Sequence, residues 1–231
     1  MTSAAPRPNL AIGAYRQLKR DIIRGVYAPG DKLRMSDLKT RYALGVGPMR
    51  EALSQLVSER LVTAVSQRGY RVAEMSIKEL EELYDARAQL EGLVLELAIV
   101  RGGDDWEAEI LAKAHALSKV VEVHSADDML DIWDARHQAF HGAIAAGCDS
   151  PHLLQTRAWL FDQAERYRHL WLCQTVFSAE ALDAKRREHA ALTDAILARD
   201  TATACAMMRE HLMTPVPIIK DVLRERFPAT R

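Results

Sequence analysis

Cysteine is scarce in this chain: Cys148, Cys173 and Cys205 are the three among 231 residues. Thiols so few and so irregularly spaced exclude a disulfide scaffold and a zinc ribbon, and they read as buried thiols of a reducing compartment. Long apolar runs are missing as well. No segment approaches the roughly 20 apolar residues a membrane helix requires, and Met1 to Pro8 lacks the apolar stretch of a secretory leader. A cytoplasmic protein without a membrane partner is expected. With 11 glycines and 8 prolines the chain is no low-complexity or collagen-like polymer. Acidic residues are thin in the first third, and all eight histidines lie beyond residue 75.

What is present is an ordinary globular composition, 48% apolar and 27% charged, long enough for two domains. The overall charge of -1 hides an asymmetry. Residues 1–75 carry 13 Lys and Arg against 6 Asp and Glu, net +7; residues 76–231 carry 18 against 26, net -8. A small basic segment followed by a larger acidic one suggests a polyanion partner for the first and a different task for the second. Domains of 1–75 and 76–231 are therefore expected.

In the first of these, Leu10, Ala14, Leu18 and Ile22 recur at helical spacing, which predicts a helix over about 10–25 with Val26 packing just beyond it. Tyr27-Ala28-Pro29-Gly30-Asp31 breaks it. Ser36 is a candidate N-cap for a short second helix through Tyr42. After Ala43-Leu44-Gly45-Val46-Gly47, Pro48 suits a first helical position, and Met49, Ala52, Leu53, Leu56 and Val57 trace one apolar stripe. Two short helices joined by a Gly-containing turn make a helix-turn-helix. The period then changes: Val62–Val65 and Tyr70–Val72 are β-prone runs around Ser66-Gln67-Arg68-Gly69, a hairpin wing.

The Tyr27-Ala28-Pro29-Gly30 turn, the Leu44–Leu53 run with its Pro48-Met49-Arg50-Glu51-Ala52-Leu53 core, and the Gln67-Arg68-Gly69-Tyr70 wing tip resemble the GntR family of bacterial transcription regulators. On a helix inserted in a major groove, Arg50 is the first side chain able to pair bidentately with guanine. Arg68 and Gly69 at the wing tip suit a phosphate or the adjacent minor groove, and Arg34 before the second helix suits a phosphate clamp. The bland alternative for each of these arginines, Arg34 above all, is a merely solvated side chain.

Beyond residue 75 the pattern is helical throughout. Ser76 with Glu79 forms a candidate capping box for a helix to about Arg101, and further helices are predicted over about 105–122, 126–146, 151–175, 179–199 and 201–226. Ser125, Ser150 and Asp200 are cap candidates, and Pro215 and Pro217 should break or kink the last helix. The fold class expected is mainly α, a winged helix-turn-helix followed by an antiparallel bundle of six to seven helices.

His137 and His141 stand four residues apart on one helix face, with His189 and His211 on the last two helices. Imidazoles gathered from neighbouring helices are ligands for zinc or nickel, whereas a lone i,i+4 pair more often lies at the surface. The resemblance implies the first reading. Residues 137, 141, 189 and 211 correspond to the metal ligands of the FCD helical domain that accompanies this winged helix in one branch of the family. The first ligand there is usually Asp; a His in its place leaves a bound divalent cation its full charge, and Asp134 one turn earlier is a candidate acceptor for an imidazole N–H.

Arg87 falls on the apolar stripe of its helix, so it must find a partner inside the bundle. That partner is either Glu91, one turn on, or the carboxylate of a ligand. The resemblance implies that an arginine in this Ala86-Arg87-Ala88-Gln89-Leu90-Glu91 context lines an effector cavity. Arg168, with Tyr167, on the fourth bundle helix is read as a second cation facing the same cavity. The resemblance further implies a homodimeric repressor of double-stranded operator DNA that is released by a short dicarboxylate, glutarate or 2-hydroxyglutarate. The competing reading from another class is a metal-dependent enzyme acting on a small carboxylate. A tetrahedral four-histidine shell disfavours it, because no ligand position is left open and no general base stands beside it.

Overall fold

The structure is a computed structural model that describes residues 10–66, 68–172 and 177–226. Gln67, Cys173 and the predicted end of the fourth bundle helix lie outside these. The chain forms two compact units divided between Met75 and Ser76. No helix among the described residues is long and apolar enough to cross a membrane.

In the first unit, α1 (Leu10–Ile23) buries Ala14, Leu18 and Ile22 against α3 (Val46–Ser58), whose own buried stripe is Met49, Ala52, Leu53 and Leu56. These side chains, with Leu38 of α2 (Met35–Tyr42), form one apolar core. Val26 does not join it: at 47% exposure it lies in the solvated turn that follows α1. The α2 cap also differs from expectation. Strand β1 (Lys32–Leu33) runs straight into the helix, so the chain turns at Arg34, and Ser36 lies inside α2 with its hydroxyl donating to Asp37 Oδ1 at 2.8 Å.

Helix α2 ends on Ala43 in the left-handed conformation, φ 51, at a local cost of about 1–2 kcal/mol for a residue with a Cβ. The turn to α3 is therefore only Ala43 to Gly45. Pro48 becomes the third helical residue rather than the first, still within the turn whose N–H groups have no intrahelical acceptor. Strands β2 (Val62–Val65) and β3 (Gly69–Val72) form the wing, with Val62 opposite Val72 and Val65 opposite Gly69. The two-residue β1 was too short to leave a sequence signal; it pairs antiparallel with β3, giving the order β1-β3-β2.

The second unit is a bundle. Ser76 caps α4 (Ile77–Arg101) by accepting from the Glu79 N–H, but Glu79 does not complete the reciprocal box, because its carboxylate accepts from the Tyr167 hydroxyl. Then come α5 (Asp104–Ser118), α6 (Ala126–Asp128) capped by Ser125, a π-helical segment over Met129–Asp134, and α7 (Ala135–Ala146). The bundle closes with α8 (Pro151–Leu172), α9 (Ala179–Leu197), α10 (Thr201–Met213) capped by Asp200, and α11 (Val216–Arg226). Pro215 divides α10 from α11. Helix α4 packs on α8 and α10, while α5 packs on α7 and α9. The π segment was not foreseen. Its wider turn breaks the 3.6-residue period where both Trp133 and Asp134 are buried.

Trp106 locks the α4–α5 corner to α7. Its indole N–H donates to the carbonyls of Ala143 and Ile144 at 3.0 Å each, and its ring lies against Gly102 and Gly147. A Cβ on Gly147 would stand 2.5 Å from Trp106 Nε1. Gly147→Ala should therefore destabilise the protein by about 1–3 kcal/mol, the usual cost of overpacking a filled site. Denaturant unfolding of the purified variant measures this, and unchanged stability would contradict the packing described.

Candidate functional site

The first site is the outward face of α3. Arg50 is exposed, one residue after the buried Met49, and Arg34 and Arg68 are exposed as well. None of these three side chains forms an ion pair among the described residues. Other arginines of the unit are engaged: Arg41 pairs with Asp21 at 3.2 Å, and Arg71 donates to the Gly30 carbonyl at 2.8 Å. Gly69 opens β3 at φ 87, a conformation that favours glycine at the wing tip.

The second site is built from α7, α9 and α10. His137, His141, His189 and His211 are all well buried, and one ring nitrogen from each lies within 4.8 Å of the others. The Nε2 atoms of His141 and His211 are each 3.1 Å from Nε2 of His137. Burial drives the His137 and His141 pKa values well below the ordinary range, with further lowering from the neighbouring imidazoles. His189 falls to about 3 for the same first reason. Burial also outweighs Glu188 in lowering the pKa of His211. The four rings are thus neutral at pH 7, the state in which imidazole is a ligand.

The partners on the far side of the rings fix the tautomers. Nδ1 of His211 is 2.7 Å from Glu188 Oε1 and donates to it, which leaves its Nε2 lone pair facing the cluster. Lys185 holds the other Glu188 oxygen at 2.6 Å. His189 Nε2 is buried with no hydrogen-bond partner. His137 differs from both, because Arg168 Nη2 lies 3.2 Å from its Nδ1. A guanidinium only donates, so the His137 ring proton sits on Nε2, where His141 and His211 both accept it. The Nε2 lone pairs of His141, His189 and His211 fit a borderline divalent metal, and His137 would join them once its ring proton moved to Nδ1 and Arg168 turned aside.

A cavity of about 240 Å³ opens beside the cluster, lined by His137, His141 and His211 together with Tyr84, Arg87 and Trp171 among others. One water needs roughly 10–15 Å³ of such space, so the cavity has room for an organic molecule. Arg87 is 6% exposed, and its guanidinium lies over the rings of Tyr84 and Phe161 at 5.5 and 5.4 Å. No carboxylate among the described residues is within ion-pair distance of it. Glu91, the internal partner considered for it, instead accepts from Arg157 at 2.8 Å.

The other expected effector residues are placed differently. Arg168 lines the cavity, but Asp134 and Glu165 both pair with it, and these two carboxylates raise its pKa against the effect of burial. It is a neutralised cation that orients His137. Tyr167 is not among the cavity-lining residues; its hydroxyl accepts from the Ser76 N–H at 3.2 Å and donates to Glu79, stapling α8 to the start of α4. Asp134 takes no imidazole N–H, because its oxygens are occupied by Arg168 and by Gln138 Nε2, the latter at 2.7 Å.

Glu188, Arg157, Tyr84, Trp133 and Trp171 were missed in the sequence. Glu188 had one signal, since it directly precedes His189, but its contact is with His211, 23 residues on. Trp133, in the unforeseen π segment, stacks on His137 at 4.6 Å.

Residues 82–214 match the FCD domain, and residues 10–72 match the gntR family of bacterial regulatory proteins. The HTH-type transcriptional repressor GlaR of Escherichia coli (strain K12) is 60% identical over 213 residues, 92% of this chain and 97% of that protein. The uncharacterized HTH-type transcriptional regulator BphR of Paraburkholderia xenovorans (strain LB400) is 32% identical over 92% of this chain and 86% of its own length. Among solved structures, E. coli McbR/YncC shares the fold, with a TM-score of 0.74 at 20% identity over 96% of this chain and 99% of that one. The chain belongs to the GntR family of bacterial regulatory proteins, DNA-binding transcription regulators, and carries an FCD domain after its winged helix.

Proposed function

We propose that this chain is a homodimeric, cytoplasmic repressor whose 1–75 domain binds operator DNA and whose 76–231 domain lowers that affinity when it captures a short dicarboxylate, glutarate or 2-hydroxyglutarate. The observation that carries the reading is Arg87, a buried guanidinium facing a cavity beside four imidazoles with no carboxylate among the described residues in ion-pair contact with it. One carboxylate of the ligand pairs bidentately with Arg87.

His137, His141, His189 and His211 would hold a divalent cation such as zinc or nickel, which supplies positive charge for the second carboxylate. Glu188 keeps the His211 lone pair directed inward, and burial keeps all four rings uncharged. Glu188 is itself held by His211 and Lys185, so it is not poised as a general base, and hydrolytic chemistry draws no support from the site.

Release from DNA follows only if the acid binds the two states of the repressor unequally. Shifting occupancy from 99:1 to 1:99 takes about 5.5 kcal/mol of preference. A gel-shift titration on the protein's own upstream region with C4 to C6 dicarboxylates tests the reading. Glutarate should release the DNA at lower concentration than its shorter and longer homologues, and indifference to the whole series would refute an acid effector. Arg50→Ala should weaken operator binding by about 1–3 kcal/mol and relax preference at one base pair, whereas unaltered affinity and preference would remove Arg50 from base recognition.

The cation is tested on its own. Glu188→Gln should cut zinc or nickel affinity by about 10–100-fold in a chelator competition, because the acceptor that orients His211 is weakened. Equal affinity in variant and parent, or no stoichiometric metal in the parent, would contradict the four-imidazole site.

A further inference from the structure

We propose that the phenol of Tyr84 and the indole N–H of Trp171 are ligand-reading donors, each receiving an oxygen of the acid that occupies the cavity. The inference rests on the reading of that cavity as a dicarboxylate site and adds two residues that specify the ligand's ends.

Both side chains line the cavity, at 1% and 6% exposure; Trp171 Nε1 is buried without a hydrogen-bond partner, and the buried Tyr84 hydroxyl, facing the Arg87 guanidinium, which is itself a donor, has no acceptor for its proton. Proteins rarely leave such groups unpaired, because water is given up and nothing replaces it. Elsewhere in the same bundle the equivalent atoms are satisfied. Trp106 Nε1 has two carbonyl acceptors, and the Tyr167 hydroxyl bonds to Ser76 and Glu79. Tyr84 and Trp171 bring their two buried polar atoms to the walls of the cavity that also contains Arg87.

Their positions divide the work. Tyr84 lies under the Arg87 guanidinium, and Arg87 lowers the phenol's pKa against the raising effect of burial, so the two groups share one end. Trp171 belongs to the other. Its ring meets Phe177 at 5.5 Å, Phe177 meets Trp133 at 5.1 Å edge-on, and Trp133 stacks on His137. Trp171 is thus joined through two rings to the imidazole cluster. An indole only donates, so it requires an acceptor oxygen, and Tyr84 beside a guanidinium is suited to the same chemistry. The ligand class is an acid with oxygen acceptors at both ends, and a monocarboxylate of equal length leaves one donor orphaned.

Two measurements on the full chain test this. In the absence of ligand, Tyr84→Phe removes an unsatisfied hydroxyl without changing the ring, so its thermal midpoint should rise by about 2–4 °C. In calorimetric titrations with glutarate, Tyr84→Phe and Trp171→Phe should each bind about tenfold or more weakly than the parent, the loss expected for a hydrogen bond to a charged oxygen. A ligand-free midpoint that is unchanged or lower for Tyr84→Phe overturns the inference, as does parental affinity in both variants. A parent protein that binds no C4 to C6 dicarboxylate overturns the effector reading instead. The ligand-free midpoint then still decides the matter: a rise supports a phenol kept for some other oxyanion, and no rise removes it.

Discussion

A guanidinium taken out of water without a carboxylate beside it is a standing electrostatic cost, and Arg87 is such a group. The bundle surrounds it with aromatic faces, which offset part of that cost. Three carboxylates near it pair with other arginines, Glu91 with Arg157 and both Asp134 and Glu165 with Arg168, although Arg87 also works against the burial that raises the pKa of Glu165; Asp162 lines the same cavity without an ion pair to Arg87. On the proposed reading, an acidic ligand would supply the missing negative charge, and a difference in that pairing between the two states of the repressor would be the differential binding that a switch requires.

The imidazole cluster obeys a related constraint. Four neutral rings carry one ring proton each, and the partners outside the cluster decide where those protons sit. Glu188 pulls one outward from His211, whereas Arg168 pushes one inward onto Nε2 of His137. In this chain a histidine stands at 137 where the resemblance led us to expect an aspartate, and the Asp134–Arg168 pair sits directly behind it. The substituted ring is thus tied to a charged network that a carboxylate in that place would have met as an attractive partner.

Much of this was legible in the sequence because it is periodic or local. The apolar stripe of α3, the hairpin runs of the wing, the Ser125 and Asp200 caps and the break at Pro215 follow from spacing and side-chain chemistry alone. The grouping of His137, His141, His189 and His211 was readable only through resemblance, since the last two reach the first pair across sequence separations that no pattern encodes. What escaped was set by tertiary competition. Arg34 displaced Ser36 as cap because β1 feeds directly into α2, Tyr167 turned from the cavity to the α4 N-terminus, and Arg157 took Glu91 from Arg87. The π segment, which orients Trp133, left no mark that periodicity could detect.

The two halves carry opposite charge, +7 and -8 by formal count, in keeping with a head for a polyanion and a body that does not coat DNA. The direct test of the account is calorimetric titration of glutarate into the parent protein and into Arg87→Gln, which keeps donors at that position but removes the charge. The account predicts saturable binding to the parent and a loss of a hundredfold or more in the variant, roughly what deleting one charged partner of a buried pair removes. Equal affinity in the two proteins would contradict it.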